Sequence, residues 1–205
     1  MGRALAFDRE QVLSQVTELF WLKGYQATSV ADLVQETRLK PGSIYNTFNS
    51  KHDLLMESLE RYSRWRVDMF RALMDQHRPL LELVRQLLQE LVDECCDDPD
   101  ARGCLLLKIQ LEQGGSDAKV KARIDQSYAL IEQVFSDAIV RAQKCDELKE
   151  DVDAAGLAKY LLMSCLGLQV MSCNRSGRAA MEAMTVSMMA AFEQAAVVPV
   201  KAEPV

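Results

Sequence analysis

Apolar residues recur at helical spacing along nearly the whole chain. Val12, Val16, Leu19 and Phe20 stand at i, i+4, i+7 and i+8, which predicts a first helix over residues 9–23 with Gly24 as its C-cap. Thr28 and Ser29 restart the chain: Ser29 is an N-cap, Asp32 its capping-box partner, and Val30, Leu33 and Val34 form one apolar face. This second helix has about two turns before Thr37-Arg38-Leu39 interrupts it. Pro41 suits the first position of a third helix, where a missing N–H forfeits no helical bond, and Ile44 and Phe48 face inward from it. Asn49-Ser50-Lys51 is a further break with Ser50 as cap. Leu54, Leu55, Leu59 and Tyr62 then begin a long fourth helix that runs to about His77 and ends before Pro79.

Leu80, Val84, Leu87, Leu88 and Leu91 mark a fifth helix, stopped by Asp97-Asp98-Pro99-Asp100. Residues 103–113 are apolar on nearly all sides, which predicts a short buried helix closed by Gly114-Gly115. Ser116 or Asp117 caps a seventh helix carrying Val120, Ile124, Ile131 and Phe135, and Asp153 opens an eighth. After a turn at residues 174–177, Met181, Met184, Met188 and Phe192 give a ninth helix its stripe. The pattern predicts an all-α fold of about nine helices. A helix-turn-helix domain occupies residues 1–51, a helical body residues 52–196, and a disordered tail residues 197–205. With 49% apolar, 26% charged and only 6% aromatic residues, the composition fits compact helical domains and excludes disordered, all-β and fibrous classes.

Charge changes the picture through its distribution. The net charge is −6, but residues 1–78 hold 11 Lys and Arg against 10 Asp and Glu, while residues 79–205 hold 13 against 20. A polyanion would therefore meet a local basic surface in the first part. The amino terminus has no signal-like apolar run and lacks the Ser or Thr of a myristoylation signal, so a cytoplasmic location is expected. Residues 154–173 could span a bilayer by length, yet their stripe of Leu161, Leu162, Cys165 and Leu168 suits a buried interface helix, and no membrane role is expected. The six cysteines form no CxxC pair and are read as reduced thiols.

Two short helices joined by a tight turn, the second opening with small and polar residues, suggest a DNA-reading pair. Gly42 and Ser43 permit close backbone approach to a major groove. The helix N-terminus attracts phosphate, and Ser43, Tyr45, Asn46 and Thr47 lie away from the inward Ile44 and Phe48.

The run Phe20-x3-Gly24-Tyr25-x2-Thr28-Ser29-Val30-x-Asp32-Leu33 is followed by Leu39-Lys40-Pro41-Gly42-Ser43-Ile44-Tyr45-x2-Phe48-x-Ser50-Lys51-x2-Leu54-Leu55. Together they resemble the DNA-binding domain of the TetR family of transcriptional regulators. The resemblance covers about 50 of the 205 residues. It implies an all-α homodimer that binds a palindromic double-stranded operator, with a C-terminal domain that takes a small-molecule effector. By position it implies that Thr28 and Ser29 bond a phosphate, that Ser43 and Tyr45 contact phosphate or base, that Asn46 and Thr47 read bases, and that Lys51 holds a phosphate. Two positions depart from the family's pattern. Arg38 stands where the turn commonly has glycine, and holding it left-handed costs roughly 1 kcal/mol. Lys40 replaces a small N-cap residue, and the two cations are read, with Pro41 and Gly42 beside them, as lying at the groove and contacting phosphate.

For the second part, the resemblance assigns the stripes of the eighth helix (Leu161, Leu162, Cys165, Leu168, Gln169) and ninth helix (Met181, Met184, Met188, Phe192) to a dimer-forming four-helix bundle. Cys104 lies at a helix start, where the dipole lowers a thiol pKa, with Lys108 one turn on. It is read either as a redox or electrophile sensor or as a small buried residue among its leucines. A helical small-molecule binding module and a helical interaction protein with no nucleic-acid role are the remaining alternatives. Cys95 and Cys96 point in different directions on a helix and have no nearby His. No metal site, cofactor or catalytic group is expected, since His52 and His77 stand in no catalytic spacing.

Overall fold

A computed structural model describes residues 7–197. Among the described residues there are nine helices and no strand: α1 (Arg9–Lys23), α2 (Val30–Thr37), α3 (Pro41–Phe48), α4 (Lys51–Met74), α5 (Leu80–Asp97), α6 (Leu105–Gln113), α7 (Ala118–Lys144), α8 (Ala154–Cys173) and α9 (Arg178–Ala195). They form two compact units. The first runs to Val67 and adds Arg102–Tyr128; the second holds Asp68–Ala101 and everything from Ala129 onward. The units therefore divide beyond the boundary expected at residue 51, because the first turns of α4, all of α6 and the start of α7 pack with the three short helices.

In the first unit, local chemistry sets the helix ends. Asp8 Oδ1 accepts the Glu10 N–H at 2.9 Å to start α1, and Gly24, at φ +85°, ends it by donating to Phe20 O at 2.9 Å. Ser29 and Asp32 form a reciprocal capping box on α2, at 3.1 and 2.7 Å. Phe20, Leu33, Ile44, Phe48, Leu54, Leu55 and Leu59 are fully buried and fasten α1–α4 together. Each such side chain contributes about 1.5–3 kcal/mol by leaving water. Asp117, rather than Ser116, caps α7: its Oδ1 accepts the N–H groups of Lys119 and Val120 at 2.9 and 3.1 Å. The expectation that α6 is buried all round is corrected. Leu105, Leu106 and Ile109 are buried, but Leu111 is 81% exposed, so apolar character marks three sides while tertiary contact covers fewer.

In the second unit α5 is central. Its buried Leu83, Leu87, Leu88, Leu91 and Val92 pack against α8 and α9. No side chain caps α5 locally, and Glu147 supplies the acceptor instead, taking the Leu80 N–H at 2.7 Å. Leu148 and Ala196 form an isolated antiparallel bridge, flanked by Lys149 N–H to Ala195 O and Val197 N–H to Glu147 O, both at 3.0 Å. Val197 is thus tied down, and the rest of the tail expected to be disordered lies outside the described residues. α8 is the one described helix long and apolar enough to cross a membrane.

The residues assigned to a dimer interface are placed differently from expectation. Leu161, Leu162, Cys165, Leu168 and Gln169 on α8, and Met181, Met188 and Phe192 on α9, are buried in the core of their own chain; Met184 is exposed. The periodic stripe marks the face that α5 and the α8–α9 contact bury. The outward face of α8 carries Gly156, Tyr160, Met163 and Val170, with Gly167 half-buried; that of α9 carries Ala180, Met184 and Ser187.

Candidate nucleic-acid interface

The turn between α2 and α3 is built as the sequence demands, with Arg38 in the left-handed region at φ 56°, ψ 21°. Its N–H closes α2 by donating to Val34 O at 2.8 Å. The residue with a Cβ accepts this conformation at roughly 1 kcal/mol, and its side chain is exposed beside the helix pair. Lys40 is the N-cap of α3 and makes no side-chain cap bond, so the positive end of the α3 dipole is left to the surroundings.

Arg38, Lys40, Pro41, Gly42 and Asn46 are exposed on this surface, while Ser43, Tyr45 and Thr47 are half-exposed. A side chain at Gly42 would meet open space, so no packing inside the chain requires glycine there. Thr47 Oγ1 donates to Ser43 O at 3.0 Å, which uses its proton while leaving its oxygen able to accept. Ser29 is exposed, but its hydroxyl serves the Asp32 cap. The Asp32 carboxyl is held well below the usual carboxylate range, first by the Lys23 ammonium at 2.6 Å and then by Ser29.

Two expected phosphate contacts turn inward. Thr28 is 1% exposed, and its hydroxyl donates to Gly24 O at 2.6 Å. Lys51 donates to Tyr25 O at 2.6 Å, with its ammonium 4.3 Å from the centroid of the Tyr25 ring. Burial pushes the Lys51 ammonium below its ordinary value, opposed by the charges of Glu112 and Asp32. The cause in both cases is an internal carbonyl near the helix end that needs a donor.

Reading by residue type missed the groups that hold this surface from behind. Glu112, on α6, accepts the N–H groups of Tyr25 and Gln26. His52 Nε2 lies 2.7 Å from Asp117 Oδ2, and the Asp117 carboxyl is held low by the Val120 N–H first and by His52 after it. Trp21 Nε1 donates to Gly103 O at 2.8 Å, and Arg102 pairs with Glu18 at 2.5 Å. Only Gly24, needed twice over for its φ and for the room beside it, signals such a contact in the sequence.

Of the two readings of Cys104, its placement agrees with the buried one. Cys104 is the N-cap of α6, but its thiol is buried and burial pushes its pKa up, outweighing the Leu107 and Leu106 N–H groups, Arg66 and Tyr62, which act the other way. Lys108 does not serve the thiol; its ammonium donates to Trp21 O at 2.5 Å and Leu22 O at 3.2 Å, at the C-terminal end of α1.

Comparison with known proteins places this geometry. Residues 12–57 match the family described as bacterial regulatory proteins, tetR family, and residues 81–188 match the tetracyclin repressor-like C-terminal domain. The chain is 29% identical over 169 residues to the uncharacterized HTH-type transcriptional regulator YezE of Bacillus subtilis (strain 168), covering 82% of this chain and 87% of that protein. It is 25% identical to the HTH-type transcriptional repressor ComR of Escherichia coli (strain K12), covering 82% and 81%. A cysteine mutant of the TetR family regulator CifR, complexed with 26-bp double-strand operator DNA, superposes with a TM-score of 0.84 at 27% identity, covering 93% of this chain and all of that one.

Proposed function

Since the chain belongs to the TetR family of bacterial regulatory proteins, we propose that it is a dimeric, cytoplasmic repressor that binds a palindromic operator and releases it when a small-molecule effector binds. The observation that carries the DNA-binding part is the surface of α3 and its turn. Two exposed cations, an uncapped helix N-terminus and a row of hydrogen-bonding side chains lie together there, with Ile44 and Phe48 fixing the helix from beneath. Arg38 and Lys40 meet phosphates, while Ser43, Tyr45, Asn46 and Thr47 reach phosphate or base edges. Ser29, exposed at the start of α2, meets phosphate by turning its hydroxyl proton from Asp32 to the phosphate oxygen. The operator-bound regulator and the relative named as a repressor support this reading.

Dimerisation is assigned to the outward faces of α8 and α9. Gly156, Tyr160, Met163, Gly167 and Val170 recur at i, i+4, i+7, i+11 and i+14, and Ala180, Met184 and Ser187 continue the pattern on α9. Small residues at this spacing let two helices approach closely, and the apolar ones bury what a lone chain exposes. Repression requires that the effector favour the DNA-incompetent state; a coupling of about 1–3 kcal/mol changes operator affinity roughly 5- to 150-fold. The relatives named as transcriptional regulators support a role in regulation rather than catalysis.

The test is selection of bound duplexes from a random DNA library by the purified protein at about 0.15 M ionic strength, where non-specific phosphate binding is partly screened. Enrichment of one inverted repeat is expected. Enrichment of nothing by a folded dimer would overturn the DNA-binding reading.

A further inference from the structure

The turn between α1 and α2 is gripped from two sides. Glu112 Oε2 accepts the Tyr25 N–H at 2.9 Å and the Gln26 N–H at 3.1 Å, and Gln26 Nε2 donates to the Glu112 carbonyl at 3.3 Å. The second carboxylate oxygen lies beside Gly24, where a Cβ would stand 2.0 Å from it. The Tyr25 carbonyl is taken by Lys51, whose ammonium donates to it at 2.6 Å and lies over the Tyr25 ring. One residue thus has its N–H held by an anion from α6 and its C=O held by a cation from α4. Bonds of this charged kind are about twice as strong as neutral ones.

The gripped turn leads directly into the reading pair. Thr28 Oγ1 bonds back to Gly24 O at 2.6 Å, and Ser29 next to it caps α2. Hydrogen bonds thus connect the end of α6 to the turn that opens α2. Glu112 also opposes the burial that disfavours the charged form of Lys51, so the two grips support each other.

We propose that Glu112 is a positioning residue for DNA recognition, clamping Tyr25 against Lys51 so that the end of α6 sets how α2 and α3 are presented to the operator. The proposal rests on the DNA-binding reading above. It also predicts a sign. Removing an anion from a DNA-binding protein tightens binding if charge alone acts, whereas loss of the clamp weakens it.

The experiment uses the full-length protein and the duplex recovered by selection. Glu112→Ala is expected to bind about tenfold more weakly. Glu112→Gln, whose amide oxygen accepts the same two N–H groups, is expected to stay within about threefold of the wild type. The salt slope should not change in either variant, because no phosphate contact is lost. The Tyr25 and Gln26 amides should be protected from hydrogen exchange in the wild type, exposed in Glu112→Ala and protected again in Glu112→Gln. Binding by Glu112→Ala as tight as wild type or tighter, a loss in Glu112→Gln equal to that in Glu112→Ala, or unprotected wild-type amides would overturn the clamp. If the wild type selects no duplex, the DNA-binding reading fails, and exchange at the two amides still decides whether the grip exists. Should Glu112→Ala not fold, Glu112→Gln and the wild-type amides carry the decision.

Discussion

α3 and α8 are both held by a buried apolar stripe, yet their outward faces are opposites. α3 turns Gly42, Ser43, Tyr45, Asn46 and Thr47 away from Ile44 and Phe48; α8 turns Gly156, Tyr160, Met163 and Val170 away from Leu161, Cys165 and Leu168. The inward stripe explains why each helix stays in its own chain. In the proposed reading the outward face of α3 meets a hydrated, charged surface and that of α8 a dry helical one.

The largest expected effect tests the dry face. Met163 is 53% exposed, and Met163→Glu should convert the dimer to monomer at micromolar concentration, because an unpaired carboxylate in a dry contact costs several kcal/mol. Light scattering reads the mass directly, and a persistent dimer would move the interface elsewhere. The contrasting change Leu161→Ala should cost about 2–5 kcal/mol of folding stability while leaving the subunit count unchanged. Next comes the wet face. Tyr45→Ala should weaken operator binding by about 1–3 kcal/mol with helicity and dimer mass unaltered, as followed by anisotropy titration. Unchanged affinity would leave Tyr45 as a half-buried aromatic with no part in recognition.

Smaller effects sharpen how the wet face is supported. Arg38→Gly should stabilise the fold by up to about 1 kcal/mol in thermal unfolding, since glycine occupies the left-handed region freely. It should also lower the salt slope of operator binding by about one, through loss of a phosphate contact. The smallest effect lies at Asp32, whose carboxyl Lys23 and Ser29 hold below its ordinary value of 3.8. A depressed folded value means that the contribution is complete above the unfolded value and is lost as pH falls below it toward the folded one. Asp32→Asn should therefore lower stability slightly at neutral pH, with the difference from wild type vanishing as pH falls, so that the acid limb of the stability profile flattens. An identical acid limb in the variant would show that the capping box does not govern it.

The features legible in the sequence were mostly those that neighbours within a turn determine. The bounds of α1, the Ser29–Asp32 box and the start of α3 at Pro41 each depend on residues at most four apart. α4 ends at Met74 rather than near His77, because the chain ahead of Pro79 tightens: Gln76 N–H reaches Leu73 O and Arg78 N–H reaches Gln76 O. The α8 and α9 stripes were legible as apolar faces, but periodicity is silent on whether the covering surface belongs to the same chain. Thr28 and Lys51 have the chemistry of phosphate contacts, and internal carbonyls engaged them instead. Glu112 could not be anticipated, because its partner Tyr25 lies 87 residues away.

The bridge between Leu148 and Ala196 means that the chain enters the α8–α9 hairpin and leaves it through one doorway. The segments on either side of residues 149–195 are paired there, so a hairpin that keeps the inward α8 and α9 stripes against α5 should be exchangeable at this point. Grafting the outward faces of another regulator's hairpin onto this doorway would change which chains pair, while the α3 surface and the duplex sequence it prefers are carried over intact.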